Sequence, residues 1–94
     1  MDKKTEEFYT RLKQELIDST LWPAEYLFKF IVPSEAGKIT DIEDSFNNMG
    51  AVIETTQSKT GKYTSVSINV RMASAQAVID KYIELSSIEG IISL

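Results

Sequence analysis

The apolar pattern of the 94-residue chain predicts an α+β domain with one extra helix at its N-terminus. Three observations carry that prediction. One segment alternates apolar and polar residues strictly over eight positions, and another carries apolar residues on both of its faces. Three others repeat apolar residues at helical spacing. Glycines and polar clusters separate them in the order α, then βαββαβ.

The first helix is expected over residues 3–18, where Phe8, Leu12 and Leu16 recur every four positions with Tyr9 and Ile17 beside them. It is too short to be stable alone in water, so its stripe needs a packing partner. Leu21-Trp22-Pro23 is a bend, because Pro23 lacks an amide hydrogen and holds Trp22 extended. A strand follows from Glu25 to Val32. Tyr26, Phe28, Phe30 and Val32 share one face, and Leu27, Lys29 and Ile31 the other. Apolar residues on both faces mark a central strand.

A second helix is expected at about residues 35–49, burying Ile39, Ile42, Phe46 and Met49 and ending at Gly50. Ala51 to Gln57 reads as a strand and Ser58 to Gly61 as a polar turn. The next strand, to about Met72, alternates strictly. Val66, Ile68, Val70 and Met72 lie opposite Tyr63, Ser65, Ser67, Asn69 and Arg71. Ser74 is placed to cap a third helix that buries Val78, Tyr82 and Leu85 and closes at Ile88-Glu89. Gly90 then releases a last short strand, Ile91 to Leu94. The βαββαβ order is that of the ferredoxin-like arrangement, which places four antiparallel strands in the order 4-1-3-2. Residues 1–20 form the helical extension and residues 21–94 the domain proper.

Composition removes several functional classes. The chain has no cysteine and no histidine, hence no thiolate chemistry and neither the commonest general base nor the commonest transition-metal ligand. No cofactor is expected. A formal net charge of −4 argues against nucleic acid as a partner. No apolar run is long enough for a membrane span, and no apolar segment follows the charged first residues as in a secretory signal, so the expected location is cytoplasmic.

Three local patterns have sharper readings that their context disfavours. Ser58-Lys59-Thr60-Gly61-Lys62 has the composition of a phosphate loop, but it lacks the first glycine and leads into a strand instead of a helix. A hairpin turn with Gly61 at positive φ explains it. Tyr63 stands where RNA-recognition motifs present stacking aromatics, but serines occupy the following positions on that face. Glu35, Asp41, Glu43 and Asp44 are explained as a solvated helix face rather than a metal cluster or catalytic carboxylate pair.

Trp22-Pro23 with Tyr26 and Phe28-Lys29, Ser58 with Gly61, Tyr63, Ser65-Val66 and Ser67, and the segment from Ala77 to Leu94 with Tyr82, Leu85 and Ile88 together resemble the small bacterial YbeD-like proteins. The resemblance covers roughly residues 22–94. The motif at Ser58 carries one residue more before Gly61. Two departures stand out: the helix before Trp22 is longer than in typical members, and the first loop, Ser34 to Gly37, lacks a glycine at the end of the first strand. The resemblance implies a ferredoxin-like fold and no established activity. That fold is shared with small-molecule-sensing regulatory domains of the amino-acid-binding ACT type.

The functional expectation is a non-catalytic regulatory or interaction module that binds a protein or a small metabolite; the alternative is a small enzyme. Its candidate surface comprises Leu27, Lys29, Ile31, Tyr63, Ser65, Ser67, Arg71 and Ile91. Lys29, mid-strand between Leu27 and Ile31, is the candidate anion contact. Leu27, Ile31 and Ile91 form an apolar strip on the helix-free side of the sheet. The first helix, through Phe8, Leu12 and Leu16, is the favoured cover for this strip, with a second copy of the chain as the other choice. The two outer strands offer edges for pairing with another chain.

Overall fold

The computed structural model describes all residues from Met1 to Leu94. Its elements are α1 (Lys3–Ser19), β1 (Ala24–Pro33), α2 (Ala36–Ser45), β2 (Val52–Gln57), β3 (Tyr63–Met72), α3 (Ala75–Leu85) and β4 (Ile92–Ser93). The strands form one antiparallel sheet in the order β2-β3-β1-β4, which is the expected 4-1-3-2 seen from the other edge. No helix is long and apolar enough to cross a membrane.

β1 and β3 pair over their full lengths, from Ala24 opposite Met72 to Pro33 opposite Tyr63. Cross-strand partners point to the same side of the sheet. One side therefore gathers Phe28, Phe30 and Val32 with Val66, Ile68 and Val70, all fully or almost fully buried. Ile42 from α2, Phe46 immediately after it, and Val78, Tyr82 and Leu85 from α3 close over them. The Phe28 ring lies near those of Phe46 and Tyr82, with both centroid separations 5.2 Å.

Local chemistry fixes the ends of these elements. The Ser74 hydroxyl accepts from the Ala77 amide at 3.1 Å, giving α3 the expected N-cap. α2 ends at Ser45, one turn before the sequence pattern suggests. There Lys81 of α3 donates to the Ser45 carbonyl and lies 5.0 Å from the centre of the Phe46 ring. A cation at the carbonyl end of a helix satisfies groups that another helical turn would otherwise engage. Met49 is half-buried in the turn that follows and not in the helix. α3 likewise stops at Leu85, and β4 is shortened to two residues. Between them Gly90 takes φ +82°, and a Cβ there would sit 2.9 Å from the Pro33 side chain, so only glycine fits.

α1 does not occupy the place favoured from the sequence. It lies in the helix layer against α3, and Tyr9, Leu12 and Leu16 pack on the edge of the buried core. The Trp22 indole donates to the Leu16 carbonyl at 3.1 Å, fastening the end of α1 to the bend before β1. The core offers Tyr26 and Tyr82 to the α1 stripe as large partners, whereas the other side of the sheet alternates apolar with polar and charged residues. None of the α1 residues is buried, and Phe8 is 53% exposed.

Candidate functional site

With α1 in the helix layer, the other side of the sheet is open. Its residues fall into rows across β1, β3 and β2: Leu27–Asn69–Val52, Lys29–Ser67–Glu54 and Ile31–Ser65–Thr56. Glu25 beside Arg71 extends the face at one end, and Tyr63, paired with Pro33, at the other. Leu27 is 52% and Val52 64% exposed. Lys29, Glu54, Asn69 and Arg71 are also exposed. Of the residues expected here from the sequence, Leu27, Lys29, Ile31, Tyr63, Ser65, Ser67 and Arg71 share this one face.

Ile91 does not join them. It is half-buried against the core, and Ile92 is the residue that pairs with Ile31 and extends the open strip. The Leu94 amide donates to the Lys29 carbonyl at 2.9 Å, consistent with this register. Ile91 and Ile92 are chemically identical neighbours, so apolar alternation alone does not decide which one faces out. Val52, Glu54 and Asn69 complete the face. The alternation of β2 carries them only once its pairing with β3 is known.

Two shallow depressions mark the face. One, of about 150 Å³, is bounded by Leu27, Val52, Glu54, Ser67 and Asn69. The other, of about 240 Å³, lies among Ile31, Thr56, Ser58, Tyr63 and Ser65. The turn beside the second is well organised. The Ser58 hydroxyl accepts from the Tyr63 amide at 3.2 Å, the Gly61 amide donates to the Ser58 carbonyl at 3.0 Å, and Gly61 takes φ +75°. These bonds make Ser58 and Gly61 turn residues that set the start of β3. Ser34 and Thr64, whose hydroxyls are 2.8 Å apart, join that start to the end of β1.

A third concavity, of about 260 Å³, opens between α1, α3 and the sheet, lined by Phe8, Tyr9, Leu12, Tyr26, Tyr82 and the last two residues. At its base the Tyr26 and Tyr82 hydroxyls are 2.9 Å apart. Burial, followed by that hydrogen bond, pushes the Tyr82 hydroxyl well above the usual tyrosine range. The proton stays on Tyr82, which serves as a neutral hydrogen-bonding group beside Tyr26. The sequence places both tyrosines on core faces, but their meeting is a tertiary fact. The acids of α2 form no cluster suited to a metal ion.

No curated protein and no solved structure matches the chain. The model of the family described as a protein of unknown function, DUF493, matches residues 18–94, leaving outside it nearly all of α1. The turn at Ser58–Gly61, the alternating β3, the Trp22-Pro23 bend and the last helix all lie within that match, and the chain belongs to this family, the YbeD-like proteins.

Proposed function

We propose that this protein is a non-catalytic interaction module of the cytoplasm, built on a ferredoxin-like fold, which engages another protein through the open face of its sheet. The observation that carries this reading is the two uncovered apolar residues Leu27 and Val52, set beside Lys29 and Glu54 across the three strands β1, β3 and β2. Exposed apolar residues rimmed by charge are the usual composition of an interface. The depressions on this face are smaller than the ~300–1,000 Å³ typical of small-molecule pockets, which favours a macromolecular partner. An enzymatic role finds little support among the side chains. The tyrosine with a perturbed hydroxyl is held protonated, the opposite of what a base or nucleophile needs.

A second reading has one observation in its favour. The groove beside Tyr26 and Tyr82 has apolar walls and two hydroxyls, which suit a small apolar metabolite bearing one hydrogen-bonding group. Thermal-shift screening with amino acids, nucleotides and acyl metabolites addresses it. The protein-binding reading is tested with a photo-reactive residue in place of Ser67. Irradiation in cells is expected to give a covalent adduct with a protein. The same residue at Asn47, on the outer side of the helix layer, should give none. Equal yields at both positions, no adduct at Ser67, or turnover of a screened metabolite would overturn the proposal.

A further inference from the structure

We infer that the partner on the open face is a second copy of this chain, seated face to face about a two-fold axis parallel to β3; this rests on the protein-binding reading above. The charge pattern selects both the partner and the axis. In the central row Lys29 lies on β1 and Glu54 on β2, with Ser67 of β3 between them. Lys29 and Glu54 have no ion-pair partner within the chain; the two ion pairs present join Lys38 to Glu35 and Lys81 to Glu84. Two strand spacings separate β1 from β2, about 10 Å, too far for them to meet each other.

Rotation about an axis along β3 lays β1 of one copy over β2 of the other without shifting the rows. Lys29 then stands over Glu54 of the partner subunit, and the reverse contact forms by symmetry. In the next row Leu27 covers the partner's Val52, and in the row beyond Ile31 covers the partner's Thr56. Small or short side chains, Ser65, Ser67 and Asn69, lie along the axis where the sheets approach most closely. With the axis parallel to β3, the central strands of the two copies run parallel, within the range of aligned sheet packing. Arg71, at the end of β3 and so of the axis, faces its own copy, and Glu25 of each subunit lies beside the two guanidinium groups to offset their charge.

The other face-to-face arrangement, with the axis across the strands through the same row, sets Lys29 against Lys29 and Glu54 against Glu54, and like charges exclude it. β1 and β3 each span ten residues. At about 3.3 Å per residue and 4.8 Å per strand, the three-strand face measures on the order of 500 Å². Two copies would bury about 1,000 Å², the lower bound for a specific interface, so the dimer is expected to be reversible.

Sedimentation of the full chain from micromolar to millimolar concentration tests this. The wild type is expected to dimerise. Lys29→Glu alone and Glu54→Lys alone should each raise the dimer dissociation constant about 100-fold, because each places two like-charged pairs across the contact. Mixing the two variants should restore association, since every facing pair is again of opposite sign. Both positions are exposed, and an unchanged melting temperature of the dilute monomer verifies that each variant folds. A wild type that stays monomeric, or a dimer that ignores the reversals, or a mixture that fails to reassociate, overturns the inference. The adduct from position 67 separates this failure from that of the parent reading. An adduct with a different protein would sink only the self-association, whereas no adduct would sink both.

Discussion

The two sides of the sheet are built from the same strands and differ in almost everything else. Toward the helices, β1 and β3 present Phe28, Phe30, Val32, Val66, Ile68 and Val70, close-packed and dry. Away from them, the intervening residues are Leu27, Lys29, Ile31, Ser65, Ser67 and Asn69, half-buried or exposed. One side holds the molecule together; the other carries the proposed interface. The contrast teaches that residues adjacent in sequence here have separable roles, so a substitution on one side should leave the other side's property intact.

The strongest test is a pair of neighbours. Phe28→Ala removes a ring that touches β1, α2 and α3 at once and leaves a cavity among Phe30, Phe46 and Tyr82. A loss of about 3–5 kcal/mol in unfolding free energy is expected from denaturant titration. Lys29→Ala, one residue along, should change monomer stability by no more than about 0.5 kcal/mol. Comparable losses at the two positions would break the comparison.

Leu12→Asp comes next. Leu12 is half-buried beside Tyr26 and Tyr82, and a carboxylate there must be desolvated or pushed out with the helix. A loss of about 2 kcal/mol is expected, with α1 loosened and the sheet intact. Amide shifts should move at Tyr26 and Tyr82 and stay fixed at Leu27 and Lys29. Shifts on the open face instead would mean that α1 covers it, contrary to the observed packing.

The same separation explains what the sequence discloses. Strict alternation in β3 and the aromatic row of β1 fix the core face, because a one-residue slip would bury Lys29 and expose Phe28. Gly50, Gly61 and Ser74 mark their turns and cap by local chemistry that needs no tertiary partner. The docking of α1 is different in kind. Its stripe demands a partner without naming one, and two apolar surfaces were on offer. The exchange of Ile91 for Ile92 has the same origin: neither neighbour's chemistry decides, and pairing with β1 does. The early end of α2 coincides with the left-handed turn at Asn48 and with a contact from Lys81, thirty-six residues from Ser45. The candidate surface was therefore legible along β1 and β3, where alternation is strong, and illegible along β2 and β4, whose register is set by their neighbours.

The tyrosine pair is a smaller and more specific probe of the helix side. Tyr26→Phe leaves the Tyr82 hydroxyl without its partner at a nearly buried site, at a cost of about 1 kcal/mol. Alkaline titration adds a sign. Because Tyr82 holds its proton more tightly when folded than when unfolded, its contribution is complete below the ordinary tyrosine range near pH 10 and is lost as pH rises above it. Tyr82→Phe should flatten that alkaline loss, as followed by denaturation midpoints across the range. An alkaline limb unchanged by the substitution would assign it to another group.

The smallest effect is expected at Asp2, whose carboxylate accepts from the Thr5 amide at 2.8 Å and caps α1. That bond holds the Asp2 carboxyl below its ordinary value of 3.8. A depressed folded pKa means the cap is fully formed above the ordinary value and is lost as pH falls through the lower one. Asp2→Ala should therefore speed amide exchange at Thr5 and Glu6 at neutral pH and remove the further fraying that acid produces in the wild type. The site is fully exposed, and the melting temperature should scarcely move. Since α1 packs on α3 and on the helix-facing side of the sheet, exchange at Ser65, Ser67 and Asn69 on the opposite side should be indifferent to the loss of this cap. A response there would show that the open face senses α1 after all, and would rejoin the two sides that the structure keeps apart.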